Sequence, residues 1–190
     1  MKNTSALLAT ALAVGMLATS NVVAKDLTGW FVNGSAGRVN YHATVDGFGS
    51  GSEHGTAAIV NAGYRTQFIG FEAGYTDLGS VSAHDDVGDS AKVSGDGWTA
   101  GINGHFNPTD RWYISARGGA FVWKLHARAT VADEGFSGSE QSLGWYAGVG
   151  TGFDIDRHWS IGANFDYYEM SKNELDIGSR VFTVGAEYRF

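Results

Sequence analysis

The chain has 190 residues, with 28 glycines, one proline, no cysteine, 13% aromatic side chains and a formal net charge of −7. The lack of cysteine excludes a disulfide scaffold and a lipid-anchored lipoprotein, and an acidic balance with no long basic run excludes nucleic acid as a partner. Aromatic and glycine content at this level argues against disorder and against a helical bundle, and favours strands.

Residues Met1–Ala24 have the layout of a secretory signal peptide: Lys2 in a polar start, an apolar run from Ala6 to Ala18, and the small residues Val22 and Ala24 before Lys25. A transmembrane anchor is the competing reading, but the run is short and rich in Ala and Thr. The expected organisation is therefore a leader over 1–24 and one domain over 25–190. Beyond Ala24 no stretch approaches the roughly 18 apolar residues of a spanning helix. Membrane insertion, if it occurs, requires a closed barrel.

Alternation then predicts eight strands: Trp30–Tyr41, Thr56–Tyr64, Phe68–Leu78, Asp96–Phe106, Trp112–Arg128, Leu143–Phe153, Trp159–Met170 and Arg180–Phe190. Three connections share one form, in which an aromatic closes a strand, a short polar turn follows and an aromatic opens the next strand. They are Tyr64 to Phe68, Phe106 to Trp112, and Phe153 to Trp159. Between these hairpins lie turn-forming and charged stretches, read as long loops: Thr44–Gly55, Gly79–Gly95, Ala129–Ser142 and Ser171–Ser179. Propeller blades would need four strands per repeat where each unit here supplies two. Short turns on one side and long loops on the other predict an all-β, eight-stranded antiparallel up-and-down transmembrane barrel.

The two faces of each strand differ. Ile69, Phe71, Ala73 and Tyr75 alternate with Gly70, Glu72 and Gly74; Trp112, Ile114, Ala116 and Ala120 alternate with Tyr113, Ser115, Arg117 and Gly119; Trp159, Ile161, Ala163 and Phe165 alternate with Ser160, Gly162, Asn164 and Asp166. The last strand sets Phe182, Val184, Ala186, Tyr188 and Phe190 against Thr183, Gly185, Glu187 and Arg189. For a membrane barrel the apolar face points outward, with aromatics at the interfaces. A soluble barrel would invert this, but its exterior would carry many more Lys and Glu than the Gly-rich faces offer.

These residues resemble the small OmpA-like outer-membrane β-barrel domain family over nearly all of Trp30–Phe190. The resemblance is carried by Gly63-Tyr64, Gly70-Phe71-Glu72-Ala73-Gly74-Tyr75, Leu78-Gly79, Gly118-Gly119, Val122-Trp123 and Tyr188-Arg189-Phe190. It implies residence in the outer membrane of a Gram-negative bacterium and a lumen filled by a charged network that can gate a small pore. By position Glu72 and Asp166 are its acids and Arg117 one of its bases, while Asn103 departs from the family's lysine. Tyr188 and Phe190 are similar to the signal read by the barrel-assembly machinery. A peptidoglycan-binding segment is not expected to be part of this protein, so the resemblance is not extended to tethering to the cell wall.

The leading functional reading is a non-enzymatic, monomeric outer-membrane protein that acts in envelope integrity or surface interaction, with lipids and lipopolysaccharide as partners. Asp85, Asp86, Asp89, Asp133, Glu134, Glu140, Glu174 and Asp176 make its outer loops acidic, most simply for solvation. Lys124, His126 and Arg128 share a face near the outer end of the fifth strand and are candidate lipid-phosphate contacts. The alternative is a small gated pore, in which Arg117→Ser raises conductance if that side chain is the plug. A lipid-modifying hydrolase would need a converging base and nucleophile, whereas His42, His54, His84, His105, His126 and His158 are scattered. Neither metal-ligand spacing nor a cofactor motif is present, so no cofactor is expected. A soluble lipocalin-like binder is the remaining reading, and the terminal aromatics weigh against it.

Overall fold

The computed structural model describes residues 28–45, 49–84, 90–131, 134–172 and 175–190. The leader expected over 1–24 lies outside them, as do Asp85, Asp86, Asp89, Asp133 and Glu174. Eight strands occur among the described residues: β1 Gly29–Val45, β2 Gly49–Arg65, β3 Ile69–His84, β4 Ser90–Phe106, β5 Trp112–Val131, β6 Glu134–Asp154, β7 Trp159–Lys172 and β8 Leu175–Arg189. Each pairs antiparallel with its neighbours in sequence, and β8 returns to β1, closing the barrel. Closure removes both edges that an open sheet would expose.

At the short-turn end the expected strand limits hold to within a residue or two. At the opposite end the strands run on, and the stretches read as long loops are mostly strand: β1 continues to Val45, β6 begins at Glu134, and β5 pairs with β6 from Trp112↔Phe153 to Val131↔Glu134. The reason is tertiary. Polar and glycine-rich segments with weak strand propensity extend a ladder already fixed by their neighbours. One irregularity interrupts this rim. The β2–β3 ladder stops at Ala58↔Asp77, and the β3–β4 register shifts between Asp77 and Ser80. Gly79 sits there at φ +73°, with its N–H donating to Asp77 Oδ1 at 2.7 Å, and a Cβ at Gly79 would lie 2.1 Å from the Thr56 carbonyl oxygen. Only glycine meets both demands.

The outward face is apolar. Trp30, Phe71, Trp98, Ile102, Leu143, Val149, Phe165 and Val184 are all exposed there, a continuous surface far larger than a soluble monomer leaves to water. Rings cluster at its two edges. At the short-turn edge Trp30 meets Tyr64 and Phe71, and Tyr188 meets Trp159 and Phe190. At the other edge Tyr75 packs on Trp98 and Trp145 on Tyr167. These two girdles mark the positions of the lipid–water interfaces.

Candidate functional site

Inward-pointing positions form two tiers of opposite chemistry. Toward the long-strand rim the lumen is filled by Val39, Ala57, Ile59, Leu78, Phe121, Trp123, Tyr146, Tyr168, Met170, Ile177 and Val181, which pack as one buried cluster. Phe121 meets Tyr168 edge-on at 5.0 Å between centroids, and Tyr146 stacks on Tyr168 at 5.7 Å. Above them the Tyr41 hydroxyl donates to the Leu78 carbonyl at 2.5 Å, beside the bulge. Alternation alone assigned these strands a polar inward face. The apolar tier is the correction, and it arises because the inward rows change composition partway up each strand.

The tier nearer the short turns is charged. Arg117 Nε and Nη2 donate to Asp166 Oδ1 and Oδ2, both at 2.7 Å. With the Asn61 amide turned so that its oxygen faces the guanidinium, it accepts from Arg117 Nη1 at 2.7 Å. Glu72 makes a different set of bonds, accepting from Asn103 Nδ2 and from the Tyr146 hydroxyl, each at 2.8 Å. Asn103 in turn accepts from Arg65 Nε at 2.9 Å, and Arg65 grips Glu187 through two parallel bonds of 3.0 and 2.9 Å while lying 4.4 Å above the Phe31 ring. Nearest the turns, Arg189 pairs with Asp154 and contacts Ser160, and Asp154 also accepts from Asn107 Nδ2 at 2.8 Å. His105 stacks on Tyr113 with its Nδ1 3.3 Å from Arg65 Nη1.

The register explains who meets whom. Arg65, Gly70, Asn103, Arg117, Gly148 and Asp166 occupy consecutive places on one row crossing β2 to β7. Arg65 passes over Gly70 to reach Asn103, and Arg117 passes over Gly148 to reach Asp166. A Cβ on Gly148 would lie 1.9 Å from Asp166 Oδ1. A second row runs Glu72, Gly101, Gly119, Tyr146, and there Glu72 bridges two glycines to the tyrosine hydroxyl. Glycines therefore serve as gaps through which the charged side chains cross the narrow lumen.

Among the residues expected from sequence, the structure brings Glu72 and Asn103 together and joins Arg117 to Asp166. Lys124 points outward, directly across from Asp96 on β4, and His126 is half-buried. The side chains of Arg128, Glu134 and Asp176 lie outside the described residues, and Glu140 is exposed. Tyr188 sits in the lower girdle, and Phe190 donates its backbone N–H to the Trp30 carbonyl at 3.0 Å. Arg65, His105, Asp154, Glu187 and Arg189 were missed as site residues. Arg65 and Asp154 read as turn residues, whereas the polar face of the last strand already carried Glu187 and Arg189.

The outer membrane protein beta-barrel domain model matches residues 9–190. Among curated relatives, outer membrane protein A of Serratia marcescens is 28% identical over 209 residues, covering 100% of this chain and 56% of that protein. The chain thus spans about half the length of the curated relatives it matches. Among solved structures, the Neisserial surface protein A barrel superposes with a TM-score of 0.61 at 19% identity, covering 86% of this chain and 98% of that one. Ail, the attachment invasion locus protein of Yersinia pestis, gives 0.58 at 17% identity, covering 85% and 99%.

Proposed function

Because the chain belongs to the outer membrane protein beta-barrel domain family and resides in the outer membrane of a Gram-negative bacterium, we propose that it is a non-enzymatic, non-conducting barrel serving envelope integrity and surface interaction. The observation that carries this reading is the filled lumen. Charged side chains of the lower tier are bonded to one another, and above them the buried apolar cluster packs across the bore. The interior is committed to holding the wall, so the work falls to the outer face, the rim and the connections between strands. Its surroundings are membrane lipid and lipopolysaccharide, and the Tyr188–Phe190 end serves recognition by the barrel-assembly machinery.

The gated-pore alternative draws on the charged tier, but opening Arg117–Asp166 would still leave Phe121, Trp123, Tyr168 and Met170 across the bore. Conductance of the full chain in planar bilayers tests the choice. The expected record is a flat baseline for the wild type, with ion-selective steps appearing only when Phe121 and Trp123 are both replaced by Ala. Reproducible openings of the wild type would overturn the non-conducting reading.

A further inference from the structure

The outward row of β1 climbs from Trp30 in the lower girdle through Val32, Gly34 and Ala36 to Arg38, eight residues above Trp30. Counted in the same way, four other strands carry a ring eight residues above the lower one, Trp98 on β4, Trp145 on β6, Tyr167 on β7 and, from Phe190, Phe182 on β8, while Thr56 on β2 and Ala120 on β5 stand at that level without one. At about 3.4 Å per residue and a tilt of about 40°, eight residues climb roughly 20 Å, close to the top of an apolar band about 25 Å tall. Where these strands present a ring to the far interface, β1 presents a guanidinium.

A second cation stands beside it. The β1–β8 register sets Arg38 opposite Phe182 and Asn40 opposite Arg180. Arg38 and Arg180 are therefore diagonal neighbours on the same outer surface, their backbone positions roughly 7–8 Å apart. Both are exposed, and neither forms an ion pair with a described residue. Like charges anchored on neighbouring positions repel, and an anion held between them relieves that repulsion. A planar guanidinium at an interface is matched to phosphate oxygens, which it binds in a bidentate fork. On the far side of the barrel Lys124 directly faces Asp96, and Asp96 faces Asp77, whereas the carboxylate nearest Arg180 by register, Glu169 on β7, lies diagonal to it and already accepts from the Tyr167 and Ser171 hydroxyls.

We propose that Arg38 and Arg180 form a phosphate-binding site on the outer wall of the β1–β8 seam, and that its ligand is a phosphorylated glycolipid of the outer leaflet. The inference rests on the outer-membrane reading, with the short turns on the periplasmic side. Acyl chains of the lipid lie against Ala36, Phe182 and Val184, while its phosphates reach up to the two guanidinium groups.

The full chain, folded in phosphatidylcholine nanodiscs, would be titrated with diphosphoryl lipid A, with the dephosphorylated lipid of identical chains, and with inorganic phosphate, and bound lipid would be read by native mass spectrometry. The expected result is retention of diphosphoryl lipid A, at least a tenfold loss with either the dephosphorylated lipid or R38Q/R180Q, and little loss with K124Q. Excess inorganic phosphate should compete poorly. Equal retention of both lipids by the wild type would overturn the proposal without any variant, and so would full retention by R38Q/R180Q. R38K/R180K keeps the charges without the fork and should bind at an intermediate level. A heat-dependent gel mobility shift of the wild type reports independently on the barrel itself, so loss of that shift would indict the membrane reading rather than the lipid site.

Discussion

The two tiers of the lumen occupy equivalent positions on the same strands and solve one problem, filling a narrow tube, by opposite means. In the lower tier each charged group depends on a particular partner: Arg117 on Asp166, Arg65 on Glu187, and Glu72 on Asn103 and Tyr146. In the upper tier Ile59, Leu78, Phe121, Trp123 and Met170 share their burial among many neighbours. Removing one member of a charge pair strands the other in a medium that cannot solvate it, whereas removing one apolar side chain leaves a void that the surroundings can partly close. The lower tier should specify its arrangement more sharply, and the upper tier should tolerate exchange.

The strongest way to break this contrast is Arg117→Met, which leaves Asp166 buried without its cation and should destabilise the barrel by about 3–5 kcal/mol. Urea unfolding in lipid, followed by tryptophan fluorescence, measures it, and Asp166→Leu in the same chain should recover a large part of the loss. Arg117→Ser should likewise cost stability and leave conductance at baseline, because the apolar tier stays closed above it. Ile59→Ala in the upper tier should cost about 2–4 kcal/mol, and no second-site change of charge should rescue it. Gly79→Ala introduces a left-handed non-glycine residue and a clash at the Thr56 carbonyl, with an expected loss of roughly 1–2 kcal/mol and faster amide exchange of the residues beside the bulge. The smallest effect belongs to Met170→Leu, a volume-conserving exchange expected to cost less than about 1.5 kcal/mol. A loss there as large as that of Arg117→Met would show that both tiers are equally particular.

The lower half of the barrel was largely legible in the sequence. Aromatic–turn–aromatic units such as Phe106 to Trp112 mark strand ends at an interface, and strict alternation put Glu72, Asn103, Arg117 and Asp166 on the inward face. Which acid takes Arg117 was not legible. That choice follows from the register that aligns Arg117, Gly148 and Asp166 across three strands, and pairing between strands is a property of the closed sheet rather than of any segment. Arg65 and Asp154 were hidden for another reason: they end β2 and β6, where a polar residue reads equally well as part of the turn. The upper halves misread as loops because Ser, Gly, Asp and His on both faces erase the period of two. Their strand state is imposed from the side.

The seam between β1 and β8 has a kinetic corollary. Its pairs, such as Asn33↔Glu187, join positions near opposite ends of the described chain, so this ladder carries the greatest loop-closure entropy of any in the molecule. Hairpins β2–β3, β4–β5 and β6–β7 can each form from neighbouring residues, but the Arg65–Glu187 grip and the Phe190–Trp30 bond exist only once the ring is complete. Folding should therefore show rapid gain of strand signal followed by a slower phase. Only in that slower phase would the lower tier become resistant to exchange.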